Sequence, residues 1–110
     1  MPGSEPLSEV VEQKLQAAFA GREIELHAAR ALLASYGEES WHQEQNRVRL
    51  AILKLGGTSI RGVEAWVQLA KNDYRDALAH AEYPEQMRSF STTPEMVERD
   101  RNQYKEWLNR

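Results

Sequence analysis

The stretch Thr58–Tyr83, TSIRGVEAWVQLAKNDYRDALAHAEY, decides the fold, because its apolar residues hold helical spacing over a longer run than any other part of the chain. Ile60, Val63, Val67, Ala70, Tyr74, Ala77, Leu78 and Ala81 return at steps of three and four, which at about 100° per residue stacks them on one side of a helix. Arg61, Glu64, Gln68, Lys71, Asn72, Arg75 and Glu82 fall opposite, as a water-facing stripe does. Thr58 or Ser59 supplies an N-cap after Gly56-Gly57, and Pro84 disfavours helical geometry at Tyr83. The spacing predicts one helix over 59–83.

A third line on that helix carries Gly62, Trp66, Leu69, Asp73, Asp76 and His80. Asp73 and Asp76 are three residues apart and Asp76 and His80 four, so their side chains can meet on one surface. With His42 from the preceding helix they would offer oxygen and nitrogen ligands to a divalent metal or a small ligand. The plainer reading is a polar edge, in which Asp76 pairs with His80, Arg47 or Arg49 and Asp73 accepts from Trp66, Tyr104 or Trp107. Neither an H-E-x-x-H run nor paired E-x-x-H runs are present, so a metal reading rests on one helix and no cofactor is expected.

Upstream, Ser40-Trp41-His42-Gln43 has the S-x-x-Q form of a capping box and predicts a helix over 41–55. Its core line is Val48, Ala51, Ile52 and Leu55, while Leu50 and Leu53 point elsewhere. A helix apolar on two sides belongs in the middle of a bundle or in a subunit contact. The tight Gly56-Gly57 turn makes 41–55 and 59–83 an antiparallel hairpin. Gly56-Gly57-Thr58 has neither the lysine nor the full pattern of a phosphate loop.

Residues 1–5 read as a frayed end and 7–36 as the N-terminal helix, with Pro6 suited to its first turn. Leu15, Phe19, Leu26, Ala29, Leu33 and Tyr36 keep the rhythm, and Val10, Val11 and Ile24 populate other sides. Gly21 weakens this helix by about 1 kcal/mol relative to alanine. One helix is the favoured reading; two joined near Ala20–Arg22 is the alternative. Beyond Pro84, PEQMRSFSTT reads as an irregular connection anchored by Met87 and Phe90, and Thr93-Pro94-Glu95 opens a last helix over 94–109. Val97, Tyr104, Trp107 and Leu108 form its apolar side. The expected fold is a single all-α domain: a bundle of four helices, five if Gly21 breaks the first, around a central antiparallel helical hairpin.

The strings RVRLAILKLGG, AKNDYRDALAHAEYP and DRNQYKEWL together resemble a family of short, all-helical bacterial proteins without an assigned activity. The resemblance spans about residues 26–110 and implies an all-helical fold; it transfers no mechanism.

Composition narrows the function classes. The 110 residues carry no cysteine, which excludes disulfides and thiol metal sites. Net charge is −3 with no basic tract, so nucleic acid is not an expected partner. No run approaches the ~18 apolar residues of a membrane span, and no export signal is legible, so a cytoplasmic protein without membrane contact is expected. No serine sits in a nucleophile elbow. The reading favours a noncatalytic helical interaction module, self-associating or binding a protein partner, with Leu50, Leu53, Val10, Val11 and Ile24 as interface candidates. A metal- or small-ligand-binding protein using Asp73, Asp76, His80 and His42 is the alternative.

Overall fold

The computed structural model describes residues 5–110. Among them the chain forms seven helices and no strand: α1 (Glu9–Ala18), α2 (Glu23–Ser35), α3 (Gln45–Gly56), α4 (Ile60–Asn72), α5 (Tyr74–Glu82), α6 (Pro84–Met87) and α7 (Pro94–Leu108). The all-α class is as expected; the helix count is not.

The segment 7–36 is two helices. Gly21 takes φ +77°, a left-handed conformation that glycine adopts without a Cβ penalty, and the chain turns a corner there. Arg22 closes the corner. Its guanidinium donates to the Ala18 carbonyl at 2.8 Å, pairs with Glu25 at 2.9 Å and lies over the Phe19 ring. Glu5, the described residue of the expected frayed end, is held in place. Ser8 accepts the Val11 N–H as N-cap of α1, and the Glu5 N–H donates to Gln45 Oε1 at 2.7 Å; residues 1–4 of the expected frayed end lie outside the described residues.

The run 59–83 breaks as well. Asp73, extended at φ −154°, ends α4 and caps α5, its carboxylate accepting the Asp76 N–H at 3.4 Å. Short polar side chains compete with the helical backbone in this way, and Asn72-Asp73 places two of them together. The apolar rhythm passes through the break without losing phase: Val63, Val67, Ala70, Ala77, Leu78 and Ala81 are all buried. Pro84 stops α5 as expected, then opens the four-residue α6.

The predicted start of α3 shifts from Trp41 to Gln45. Ser40 caps nothing, and Glu44 precedes the helix in a left-handed conformation, φ 51°. The reason is His42, which is buried and stacked on Tyr36 at 4.7 Å. Its Nδ1 accepts the Gly37 and Glu39 amides at 2.9 and 3.3 Å, so the loop wraps around the imidazole instead of starting a helix.

α3 is the axis of the molecule. Val48, Arg49, Ala51, Ile52 and Leu53 are all buried, enclosed by α1, α4 and α5 and tied to the end of α2. Gly56 lies against Gly62 at the α3–α4 turn, while Arg47 near the start of α3 grips Glu82 at the end of α5 through two bonds of 2.6 and 2.8 Å. The α4–α5 pair therefore runs antiparallel to α3. None of the helices among the described residues is long and apolar enough to cross a membrane.

At the turn the two backbones nearly touch: a Cβ on Gly62 would run into the Gly56 carbonyl, which is backbone and cannot swing away. Helix propensity alone would make Gly62→Ala stabilising by about 1 kcal/mol. We expect the close approach to win, with a net loss of roughly 1–3 kcal/mol in denaturant unfolding; a stabilised variant would refute the contact.

Candidate functional site

The polar shoulder on α4 and α5 is occupied with local structure. Asp73 caps α5. His80 Nδ1 lies 2.9 Å from the Asp76 carbonyl and 3.7 Å from its carboxylate, and its ring rests on Trp66 with centroids 5.3 Å apart. His42 is turned inward onto Tyr36 and its own loop amides. Among the described residues, no three His, Cys, Asp or Glu side chains are placed to hold a metal ion. The expected partners also differ: Arg47 pairs with Glu82 and Glu44, and Arg49 donates to the Leu33 and Tyr36 carbonyls at 2.9 and 2.8 Å, so neither arginine takes Asp76.

The interface candidates divide. Val11 and Leu53 are core residues and Leu50 packs against the core from its edge; only Val10 and Ile24 are exposed, Ile24 at 87 %. Apolar spacing on two sides of α3 reflected burial on two sides. Met87 and Phe90, expected as anchors, are exposed as well, Phe90 fully, because α6 and the loop after it are held by polar bonds to α7.

Those bonds centre on Asp100, a buried carboxylate in α7. Oδ1 accepts the Glu85 N–H at 3.0 Å, and Oδ2 accepts the Gln86 N–H at 3.1 Å and the Gln86 side-chain amide at 2.9 Å. It thus caps α6 from a different helix. Burial alone would raise the Asp100 pKa, but the Gln86 side chain and the two amides outweigh it and hold the group below the ordinary carboxylate value. Arg99 grips Glu85 beside it, and Gln103 donates to the Ala81 carbonyl at 3.1 Å. Nothing in the spacing of α7 distinguished Asp100 from its solvated neighbours; only its partner helix does.

Locked in this way, α7 stands off the α5–α6 corner and leaves a groove of about 410 Å³. Tyr83 lines one wall, and Val97, Arg101, Tyr104 and Leu108, one face of α7, line the other. Both acids there are engaged, Glu82 with Arg47 and Asp100 with α6. Arg101 and Lys105 make no ion pair among the described residues, so the groove is apolar with a basic rim. The buried Tyr104 hydroxyl has no hydrogen-bond partner among the described residues, contrary to the expectation that a carboxylate would meet it. Burial, followed by the Glu82 charge, pushes this phenol up to about 12, so it remains a neutral donor.

In comparisons with known proteins, no family model matches this chain, and no curated protein or solved structure matches it significantly.

Asp100→Ala should cost roughly 2–4 kcal/mol, since two amides of α6 lose their acceptor in a buried setting; hydrogen exchange in 84–108 should accelerate ahead of α3. His42 gives a pH test. Burial first, then Lys71, holds its pKa below the ordinary histidine value, with Glu39 and Glu38 opposing. The unfolded chain takes up a proton before the folded one, so the stability from neutral His42 is full above about pH 6.5 and declines as pH falls from there toward the folded value. Denaturant midpoints measured over that window should fall less steeply in His42→Gln than in the wild type.

Proposed function

We propose that this chain is a noncatalytic helical interaction module, and that its groove between the α5–α6 corner and α7 receives a short protein segment carrying large apolar side chains beside carboxylates. The supporting observation is the combination of Tyr83, Val97, Tyr104 and Leu108 along the groove with Arg101 and Lys105 unpaired at its edge. Apolar anchors in a groove supply affinity, and a basic rim selects an acidic partner and speeds its encounter. Catalysis has less support, since the candidate acids and imidazoles are committed to caps, loop amides and ion pairs. A cytoplasmic setting fits the cysteine-free composition.

Selection of a random peptide library on the purified protein tests this reading. Enriched peptides should combine aromatic or aliphatic residues with aspartate or glutamate, shift the amide resonances of 97–108, and bind about tenfold or more weakly to Arg101→Glu/Lys105→Glu. Sedimentation run alongside detects a second copy of the chain as the occupant. Failure to enrich acidic peptides, binding indifferent to the charge reversal, or self-association through this face would each overturn the proposed partner class.

A further inference from the structure

The other flank of α7 carries a second concentration of charge. Lys14 of α1, Lys54 in the last turn of α3 and Arg110 just past α7 converge on Trp107 around an open cavity of about 410 Å³ that also reaches Thr58. No acidic side chain is among the residues lining it.

The C-terminal end of a helix attracts cations, and this applies in part to all three. The Lys14 ammonium donates to the Trp107 carbonyl and lies 4.5 Å from the centre of the indole ring. Lys54 in the last turn of α3 and Arg110 just past α7 also lie at such ends, but their side chains make no hydrogen bond or ion pair among the described residues. The acid acting on Lys54 is Asp100, which is already bonded to the amides of α6. Burial, and after it the charge of Arg110, lowers the pKa of both lysines. Three like charges, offset only by the partial charges of two helix ends, line a recess without an acidic side chain, and a bound anion would relieve their mutual repulsion.

We propose that this cavity is a binding site for the phosphoryl group of a small molecule, with Lys54 and Arg110 as direct contacts, Lys14 as supporting charge and the Thr58 hydroxyl as a further donor. A dianion offsets three cations better than a carboxylate does, and its tetrahedral oxygens suit donors converging from separate elements, with the guanidinium fork able to engage two of them. The volume lies within the range of small-molecule sites. This site is separate from the groove, and neither depends on the other.

Inorganic phosphate and phenyl phosphate titrated into the full chain, against sodium chloride and sodium acetate at equal ionic strength, test the proposal. The expected result is a saturable shift of the Trp107 indole and Thr58 amide resonances with both phosphates alone. Lys54→Gln and Arg110→Gln should each weaken that response about tenfold, while their melting temperatures stay unchanged or rise because a repulsion is removed. Chloride or acetate reproducing the shifts, affinities in both variants within about twofold of wild type, or a large loss of melting temperature in Lys54→Gln would overturn it.

Discussion

The Arg49 side chain is entirely removed from solvent, and the surrounding helices are arranged to make that tolerable. A guanidinium taken out of water costs several kcal/mol unless its donors are met. Here Nε reaches the Leu33 carbonyl and Nη2 the Tyr36 carbonyl, at the C-terminal end of α2, where the helix dipole favours a cation. Nη1 reaches the Glu5 carbonyl and Asn46 Oδ1, both at 2.9 Å. Burial pulls its pKa down and the nearby Glu5 pulls it back. One side chain thus fixes the segment at Glu5, the end of α2 and the axis of α3 relative to one another.

With α3 held at the centre, the two corners in the chain follow from covering it. Gly21 lets α1 and α2 lie in different directions, and Asp73 lets α4 and α5 each take a part of α3. Tyr36 and His42 close the same end as Arg49 by stacking, with the imidazole serving as acceptor for loop amides. Most of the apolar surplus that α3 presents in sequence is consumed inside the domain, with Leu50 and Leu55 packed against the core from its edge.

α7 has a single buried residue, Asp100, among its fifteen, and it borders both surfaces proposed for recognition. Its inward face is fastened through Asp100, Gln103 and Trp107; its two flanks differ, one apolar with a basic rim and the other basic around an indole. Because the fastening is polar and directional, α7 keeps its apolar residues Val97 and Leu108 partly open. A helix pressed home by hydrophobic contact alone would have buried them.

Periodicity, punctuation and caps were enough to determine from the sequence that this is an all-helical domain with an antiparallel hairpin at its centre, that Ile60 to Ala81 share a buried ridge, and that Thr93 starts a final helix, since these depend on residues a few positions apart. The break at Gly21 was an open alternative and the one at Asp73 was not foreseen, because the apolar rhythm continues through both and only packing against α3 favours a corner over a straight helix. His42, Arg49, Asp100 and Tyr104 took their roles from tertiary structure alone. A buried acceptor, a buried cation, an inter-helix cap and an unmatched hydroxyl are each defined by partners distant in sequence, and an isolated helix face looks the same whether such a partner stands opposite or water does.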